Sequence, residues 1–315
     1  MQTMLIGEYI KKSRMDQGMT QEMLCDGFCA VSTLSRLEGG KVVPSRTLVH
    51  ALLQRLGLPD GRYFALLGEN EAAAEALKND IRADEIRFSK AAADQRPKIR
   101  EEAMEKLEEL EKLTEEDDRI TRQYIMRSRI VLGGPEGPYS ARERLDMLTE
   151  AIRLTVPRLD LEDIGAFRYS INETTIINQI ALAYADAGEK EKAIGIYSQL
   201  LSYIEAHDRD LPGFANHFCL VAHNYAIELG LGERYEEAAA LAERGWDLCV
   251  AYGDYQFLAG FLAILAECSF FMGEKEKSAG LYHVAYSLYT ALRDNSDREI
   301  IRREMWEHLS LKPLY

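Results

Sequence analysis

The sequence predicts an all-α protein with two parts, a small five-helix head and a long right-handed α-solenoid of helical repeats. Two observations carry this prediction. In the first 68 residues, short apolar segments recur at helical spacing, and a glycine follows the end of several of them. After residue 115, pairs of longer helical segments recur as a degenerate repeat, and only eight prolines occur in 315 residues. We therefore divide the chain into a head (1–68), a helical connector (69–114) and a repeat body (115–315).

The head begins with apolar residues at intervals of three and four, and serine or threonine precedes later segments as helix caps. Gly18, Gly57 and Gly68 follow the ends of three of them, as left-handed caps do. Five short helices leave no room for an enzyme's cleft. The predicted helices are Leu5–Gln17, one capped by Thr20, Ala30–Glu38, one capped by Ser45, and Gly61–Leu67.

A specific motif lies between Thr20 and Ser45. Its residues are Thr20-Gln21, Leu24, Thr33-Leu34-Ser35-Arg36-Leu37-Glu38, Gly40 and Pro44-Ser45. The pattern resembles the Xre/Cro/repressor-type helix-turn-helix, but the turn LCDGFCAVS is one residue shorter. That shorter form is similar to the heads of PlcR/PrgX/Rgg-type regulators, which respond to secreted peptides. The resemblance covers about a fifth of the chain, and it implies double-stranded DNA as a partner, with the third helix in the major groove.

Candidate DNA contacts follow from that placement. Ala30 and Val31 at the start of the third helix would offer apolar contacts to bases, and Thr33 would add one hydrogen bond. Gln21 and Arg36 are expected at a phosphate or a base edge. The full predicted set, including three residues expected on the DNA backbone, is Gln21, Ala30, Val31, Thr33, Arg36, Lys41, Ser45 and Arg46.

Charge supports the division into head and body. The whole chain carries 38 Lys+Arg and 52 Asp+Glu, a net charge of −14. Residues 1–68 hold eight basic and six acidic side chains (+2), whereas the remainder holds 30 and 46 (−16). The small basic excess therefore lies where phosphates need neutralising. Glu38 is expected to pair with Arg14, as the matching pair does in the family, so it is not a base reader.

The connector is rich in Ala, Glu, Lys and Arg. Its pattern predicts one helix over Glu69–Ala93, a break at Pro97, and a second helix over Lys98–Leu113. A helix, a break and a helix suit either a hinge or a first, atypical repeat.

The repeat is clearest in Asn178–Tyr197, where Ala181, Tyr184, Gly188, Ala193 and Tyr197 have tetratricopeptide spacing. It returns over Ala266–Ala285, and a third copy around 232–238 keeps the turn. An earlier pair, Arg119–Leu132 and Ala141–Val156, is a candidate further unit. Such pairs stack into a solenoid whose first helices line a concave surface. The last helix, Arg298 to about Ser310, is expected to cap its open end.

A concave surface that binds a peptide needs polar groups that pair with peptide N–H and C=O. Asparagine offers both a donor and an acceptor. Most tyrosines at repeat positions are expected in the core, and an amide there can equally be a solvated or capping residue. The candidate peptide-binding residues are Tyr169, Asn172, Thr175, Asn178, His223 and Asn224.

Other chemistry is missing from the sequence. No nucleotide-binding, zinc-protease or nucleophile-elbow motif occurs, so we predict no enzyme, no cofactor and no metal. Five scattered cysteines without a CxxC motif suit reduced thiols in the cytoplasm. Cys25 and Cys29 are four residues apart, without the histidines a zinc site would add. No apolar run is long enough to span a membrane, and the amino terminus lacks a signal-peptide pattern.

Three hypotheses remain at this stage. The first is a dimeric, cytoplasmic transcription regulator whose body binds a short signalling peptide, the ligand class that the resemblance implies. The second is an interaction scaffold, with the head as an assembly module and the body docking another protein. The third is a repressor that senses a small molecule, which the sequence does not separate from the first.

Overall fold

A computed structural model describes residues 6–42, 44–58, 69–134, 137–211, 213–253, 255 and 257–312. Over these residues the chain forms fifteen α-helices and one short 3-10 helix, with no strand. The predicted all-α class is confirmed. The predicted head helix Gly61–Leu67 lies outside the described residues.

The head forms around a small apolar core in which Ile10, Leu24, Leu34 and Leu52 are fully buried. Two predicted caps are present: Thr20 accepts a hydrogen bond from Met23 N and Ser45 accepts one from Leu48 N, each at 3.2 Å. These bonds satisfy backbone N–H groups that a helix start leaves open. The four helices are α1 (Ile6–Asp16), α2 (Gln21–Cys25), α3 (Val31–Glu38) and α4 (Arg46–Arg55).

The connector consists of α5 (Glu69–Lys90) and α6 (Arg96–Leu113). The prediction that Pro97 breaks a helix is wrong in its position, because Pro97 lies in the first turn of α6. Proline is favourable there, since that N–H has no partner inside the helix. Both helices bury apolar residues against α7, in a cluster that includes Phe88, Leu107 and Tyr124. The connector is therefore packed as the first helix pair of the stack.

The body continues as helix pairs closed by one final helix. Small and aromatic residues fill its layers as predicted: Ala181, Ala266, Tyr197 and Tyr282 are fully buried, whereas Tyr184 is only half-buried. The helices are α7 (Arg119–Gly133), α8 (Ala141–Arg153), α9 (Ile171–Asp186), α10 (Lys190–His207), α11 (Phe214–Leu231), α12 (Tyr235–Tyr252), α13 (Leu258–Phe271), α14 (Lys275–Ala291) and α15 (Asn295–Leu309), with the 3-10 helix at Ile164–Ala166.

The turns inside three of these pairs share one backbone shape. Gly188 (φ +85°) and Gly273 (φ +86°) provide the left-handed residue after α9 and α13. In the turn after α11 the glycine stands one position early, at Gly232 (φ −92°), and Glu233 takes the left-handed conformation at φ +60°. A residue with a Cβ is strained in this conformation. The turn at Glu233 therefore carries backbone strain that the turns at Gly188 and Gly273 lack.

The last helix, α15, covers the end of the stack as predicted, with Ile301 and Met305 buried against α14. Trp306 is 56% exposed on its outer side. Near its start, Arg96 Nη2 of α6 donates a hydrogen bond to Ser296 Oγ at 3.2 Å. The two ends of the helical stack are therefore in contact.

Candidate DNA-binding and ligand-binding sites

The α3 helix separates into a buried and an exposed side. Leu34 and Leu37 anchor it in the head core. The predicted base-facing residues Ala30, Val31, Thr33 and Arg36 are all exposed. Two serines missed as candidates, Ser32 and Ser35, are exposed beside them, and the i, i+3 spacing of the two leucines could have located them on the outer face.

A buried ion pair, which we call the head pair, fixes α3 relative to α1. Arg14 Nε donates to Glu38 Oε1 at 2.7 Å and Arg14 Nη2 donates to Glu38 Oε2 at 2.9 Å. Arg14 Nη1 also donates to Met19 O at 2.8 Å, and Gln21 Nε2 donates to Glu38 Oε2 at 2.7 Å. Burial works to raise the pKa of Glu38, but the hydrogen bonds from Arg14 and Gln21 lower it overall.

The head pair also defines the position of Gln21, the predicted contact from α2. One amide hydrogen of Gln21 is engaged by Glu38, and the residue is half-buried beside α3. The three residues predicted to contact the DNA backbone, Lys41, Ser45 and Arg46, are exposed at or near the start of α4. That helix start carries Ser45 as its cap and two basic neighbours, an arrangement that suits a phosphate. These neighbours are Lys41 and Arg46.

A cleft of about 1220 Å³ separates the head from the first helices of the body. Ala30, Val31 and Thr33 line one wall. The other wall includes Asp117 and Asp118, from the charge run before α7. The start of α3 therefore shares this cleft with these carboxylates and with two cationic side chains, Lys78 and Arg119.

The head is joined to the body by a second buried ion pair, which we call the junction pair. Arg55 Nη2, at the end of α4, donates to Glu173 Oε1 in the first turn of α9 at 3.0 Å. The two side chains are 1% and 0% exposed. Arg55 Nη1 also donates to Leu24 O at 3.1 Å, near the end of α2, and to Asp26 O at 2.6 Å, in the turn between α2 and α3. One guanidinium thus connects that turn to the body.

Further contacts surround the junction pair. Glu173 Oε2 accepts the Ser170 N–H at 2.6 Å, as part of the capping box of α9. Gln54 Oε1 accepts the Ile171 N–H at 3.0 Å. Gly27 packs so closely on the body that a Cβ atom would lie 1.8 Å from Thr155 O. The head is consequently seated on the start of α9.

The concave side of the body is formed by the first helices of successive pairs. The α9 helix contacts α11, and α11 contacts α13. On this side Asn224 Nδ2 donates to Asn178 Oδ1 at 3.2 Å, which brings the two predicted amides together. Asn178 is buried and Asn224 is half-buried.

Other predicted ligand residues differ in their surroundings. Asn172 is half-buried and donates to Gln123 Oε1 at 2.8 Å, and Thr175 returns its hydroxyl to Ile171 O at 2.7 Å. Tyr169 is 2% exposed and packs edge-on against Tyr203. It lies in the core, as the sequence pattern suggests for most of these tyrosines, and is left out of the proposed site.

His223 lies on α11 between the rings of Phe257 and Phe261, with centroids at 5.8 and 5.7 Å. Burial lowers the pKa of His223 to about 4. The imidazole is therefore neutral near pH 7 and can both donate and accept a hydrogen bond.

Three residues on this side were missed by the sequence reasoning. Leu182 and Ile227 are exposed apolar side chains, one turn along from the two paired asparagines. Gln179 Oε1 is buried and has no hydrogen-bond partner among the described residues. Leu182 is four residues after Asn178 and Ile227 is three after Asn224, so helical spacing places each on the same face as its asparagine. Gln179 directly follows Asn178 and has no such signal.

Some kinds of site are not found in the described part of the chain. It contains no group of three or more His, Cys, Asp or Glu side chains arranged to hold a metal ion. None of its helices combines the length and the apolar character required to cross a bilayer.

The fold and these sites define a helix-turn-helix domain joined to tetratricopeptide-like helical repeats. Residues 5–63 match the family model described as a helix-turn-helix domain. No curated protein matches the sequence significantly.

Solved structures with this architecture cover nearly the whole chain. Bacillus thuringiensis PlcR in complex with the peptide PapR7 and DNA is 21% identical, with a TM-score of 0.60 over 95% of this chain and 99% of PlcR. The competence regulator ComR from Streptococcus vestibularis, in its apo form, is 18% identical, with a TM-score of 0.52 over 96% and 98%. ComR from S. thermophilus, in complex with DNA and its signalling peptide ComS, is 17% identical, with a TM-score of 0.51 over 96% and 99%. The chain shares the fold of these proteins.

Proposed function

We propose that this chain is a DNA-binding transcription regulator controlled by a short peptide bound on the concave face of its body. The observation that carries the DNA half is α3, which exposes Thr33 and Arg36 while the head pair fixes its orientation. Both PlcR and ComR, which share the fold, have been solved with DNA and a peptide.

Support for the peptide half comes from the concave face. The half-buried Asn224, paired with Asn178, presents its amide on this face. A rotation of the half-buried Gln179 side chain would bring its unpaired Oε1 to a peptide N–H. The exposed side chains Leu182 and Ile227 would pack against apolar residues of the ligand. A buried acceptor without a donor is costly, so occupation by a donor is favourable.

Control would act on the cleft between head and body. Asp117 and Asp118 face the start of α3 and repel phosphates at short range. Movement of that wall away from the head would ease the approach of DNA to Ala30 and Val31. A peptide that prefers a different curvature of the stack would change this spacing by population shift.

We also propose that the active form is a homodimer. One head offers few base-reading side chains, and two of them, Ala30 and Val31, are apolar, so a single head should bind weakly. Two heads at a fixed spacing of about 34 Å would supply the missing affinity. Sedimentation of the DNA complex should give two chains for each operator.

The DNA half is tested by titrating purified protein with DNA from upstream of its own gene at several salt concentrations. Binding should weaken as salt rises, and Arg36→Ala should cost about tenfold or more in affinity. Arg142→Ala is the matched control, because Arg142 is an exposed arginine on α8 in the body. Absence of salt-dependent binding, with a stoichiometric protein partner recovered instead, would favour the scaffold hypothesis.

The peptide half is tested by calorimetry with synthetic peptides encoded by short reading frames next to the gene. Gln179→Ala and Asn224→Ala should each weaken the binding of an active peptide. Ser202→Ala is the control, because Ser202 lies on α10, a second helix of its pair, and its hydroxyl donates to Ser198 O in the same helix. Equal losses in all three variants would contradict the assignment of this face.

A further inference from the structure

Two cysteines lie in the turn between α2 and α3, and the proposed DNA contacts do not use them. Asp26 (φ −52°, ψ 125°) and Gly27 (φ +75°) have the dihedral angles of a type II turn. Phe28 N and Cys29 N both donate to Cys25 O, at 2.9 and 3.1 Å. This closed turn holds the two residues near enough for their sulfurs to share a hydrogen bond, and a disulfide needs such proximity.

The two thiols are chemically unequal. A hydrogen bond from Cys29 lowers the pKa of Cys25, against the opposing effects of burial and of the Asp26 and Glu22 carboxylates. The same bond raises the pKa of Cys29. Cys25 is thus the favoured thiolate, which is the nucleophilic form, and Cys29 is a thiol held beside it. Both residues line the 1220 Å³ cleft, and Cys29 is half-exposed.

The other cysteines provide an internal comparison. The Sγ atoms of Cys219 and Cys249 are 3.6 Å apart, but both residues are fully buried in the main core of the body. Cys268 is 1% exposed, and burial raises its pKa to about 11. Proximity of the two sulfur atoms alone does not distinguish Cys25 and Cys29 from Cys219 and Cys249. The cleft does, because Cys29 is half-exposed on it and Cys25, although only 2% exposed, also lines it.

We propose that Cys25 and Cys29 are an oxidation site, at which a hydroperoxide converts the pair into an intramolecular disulfide inside the DNA-binding head. The Cys25 thiolate attacks the terminal peroxide oxygen, the O–O bond breaks, and an alcohol or water leaves as Cys25 becomes a sulfenic acid. Cys29 sulfur then attacks the Cys25 sulfur, the S–O bond breaks, and the departing hydroxide takes the Cys29 proton as water. Two thiols and one hydroperoxide give one disulfide, one alcohol and one water.

The consequence for α3 follows from the junction pair. Arg55 holds the carbonyls on both sides of Cys25, and Arg55 is itself held by Glu173. The displacement needed to close the bond therefore falls on Cys29. The next residue is Ala30, the N-cap of α3. Oxidation moves the base-facing start of the helix, and this effect on DNA binding rests on the function proposed above.

The chemistry is tested on the full chain with hydrogen peroxide, followed by alkylation and trypsin digestion. Cys25 and Cys29 fall in one tryptic peptide, Met15–Arg36, which should lose about 2 Da and resist alkylation. Cys219, Cys249 and Cys268 should remain alkylatable. A Met15–Arg36 peptide that stays fully reduced, or oxidation that appears first in the body cysteines, would overturn the proposal.

Single substitutions assign the roles. Cys29→Ser should leave Cys25 at the sulfenic acid, which a cyclic 1,3-diketone reagent traps, and should form no disulfide. Cys268→Ser should oxidise like the unaltered protein. Cys29 is half-exposed, so Cys29→Ser stays interpretable even if Cys25→Ser at the buried position impairs folding. A sulfenic acid trapped at neither cysteine would contradict the assignment.

The effect on α3 is measured by DNA titration of reduced, oxidised and re-reduced protein. The oxidised form should bind about tenfold more weakly, roughly the loss of one base contact, and dithiothreitol should restore binding. Cys29→Ser should bind DNA equally before and after peroxide. A confirmed disulfide with unchanged affinity would refute the displacement of α3. Reduced protein that binds no DNA would refute the proposed function, and the mass measurement would still decide the oxidation site.

Discussion

Two buried Arg–Glu pairs organise this molecule, and they differ in what they join. The head pair, Arg14–Glu38, links α1 to α3 within one small domain. The junction pair, Arg55–Glu173, links residues 118 positions apart and is more deeply buried, at 1% and 0% against 10% and 2%. The head pair sets the orientation of α3 relative to α1. The junction pair holds the head against the body.

The difference matters because a buried charge loses its hydration, and only an opposite charge and well-placed hydrogen bonds compensate for that loss. The head pair is bidentate and shares Glu38 with Gln21. In the junction pair, each partner satisfies backbone groups of its own part of the chain, the turn carbonyls for Arg55 and the Ser170 N–H for Glu173. Removal of either junction side chain therefore leaves unsatisfied groups on both sides of the boundary.

The largest effect is expected from Glu173→Gln. It leaves Arg55 buried without a counter-charge and should lower the free energy of unfolding by about 3 kcal/mol or more. Because the loss falls between the two parts, urea unfolding should separate into two transitions. Circular dichroism and intrinsic fluorescence, followed together, would detect the separation.

The control is Glu85→Gln, which disrupts the Arg127–Glu85 pair between α5 and α7 (10% and 11% exposed). It should lower stability without dividing the transition, because both partners belong to the same stack. If Glu85→Gln and Glu173→Gln give the same single transition, the junction pair does not join two cooperative units.

A smaller loss is expected from Glu38→Gln, about 2 kcal/mol, since Arg14 keeps its bond to Met19 O and some access to solvent. Unlike the junction variant, this one should also reduce DNA affinity, because α3 loses its brace to α1. Denaturant titration and DNA titration of the same preparation measure both. Full DNA affinity in Glu38→Gln would contradict the role given to the head pair.

The head pair also predicts a pH dependence. The folded pKa of Glu38 is lowered, so its contribution is complete above its ordinary pKa of about 4.5 and is lost as pH falls through the folded value. The stability difference between the unaltered protein and Glu38→Gln should therefore shrink as pH falls below about 4.5. A difference that grows in acid would reverse the sign of the argument.

The smallest effect comes from a site remote from both pairs. Glu233→Gly removes the strain of a left-handed residue with a Cβ and should raise stability by about 1 kcal/mol. Gly273→Ala, at the matching position after α13, should lower it by a similar amount. Thermal unfolding of the two variants gives the comparison, and neither should alter DNA binding.

Much of the fold could be predicted because periodicity and caps are local signals. Thr20, Ser45 and the helix limits of the body follow from residues close in sequence. The sequence predicts a break at Pro97, which lies in the first turn of α6, because proline is common both at helix breaks and in first turns. The strained Glu233 was also hidden, because the turn motif contains a glycine one position away.

The site was predictable only where a motif or a spacing marks it. The exposed residues of α3 and the pairing of Arg14 with Glu38 were anticipated. The sequence predicts Asn178 and Asn224 as separate candidate residues, but it does not predict the hydrogen bond between them. Arg55 and Glu173 carry no local signal, because their partnership arises from packing between residues 118 apart. Tyr169 resembled a groove residue in sequence, and only its burial assigns it to the core.

The contact between Arg96 and Ser296 gives the body an unusual mechanical property. An open solenoid can relieve a local distortion by uncoiling at its free end. A stack whose first and last helices touch behaves as a split ring, in which any widening on the inner side is felt at the closure. A ligand wedged among α9, α11 and α13 would therefore also load the hydrogen bond between Arg96 and Ser296, which belongs to neither of the two proposed binding sites.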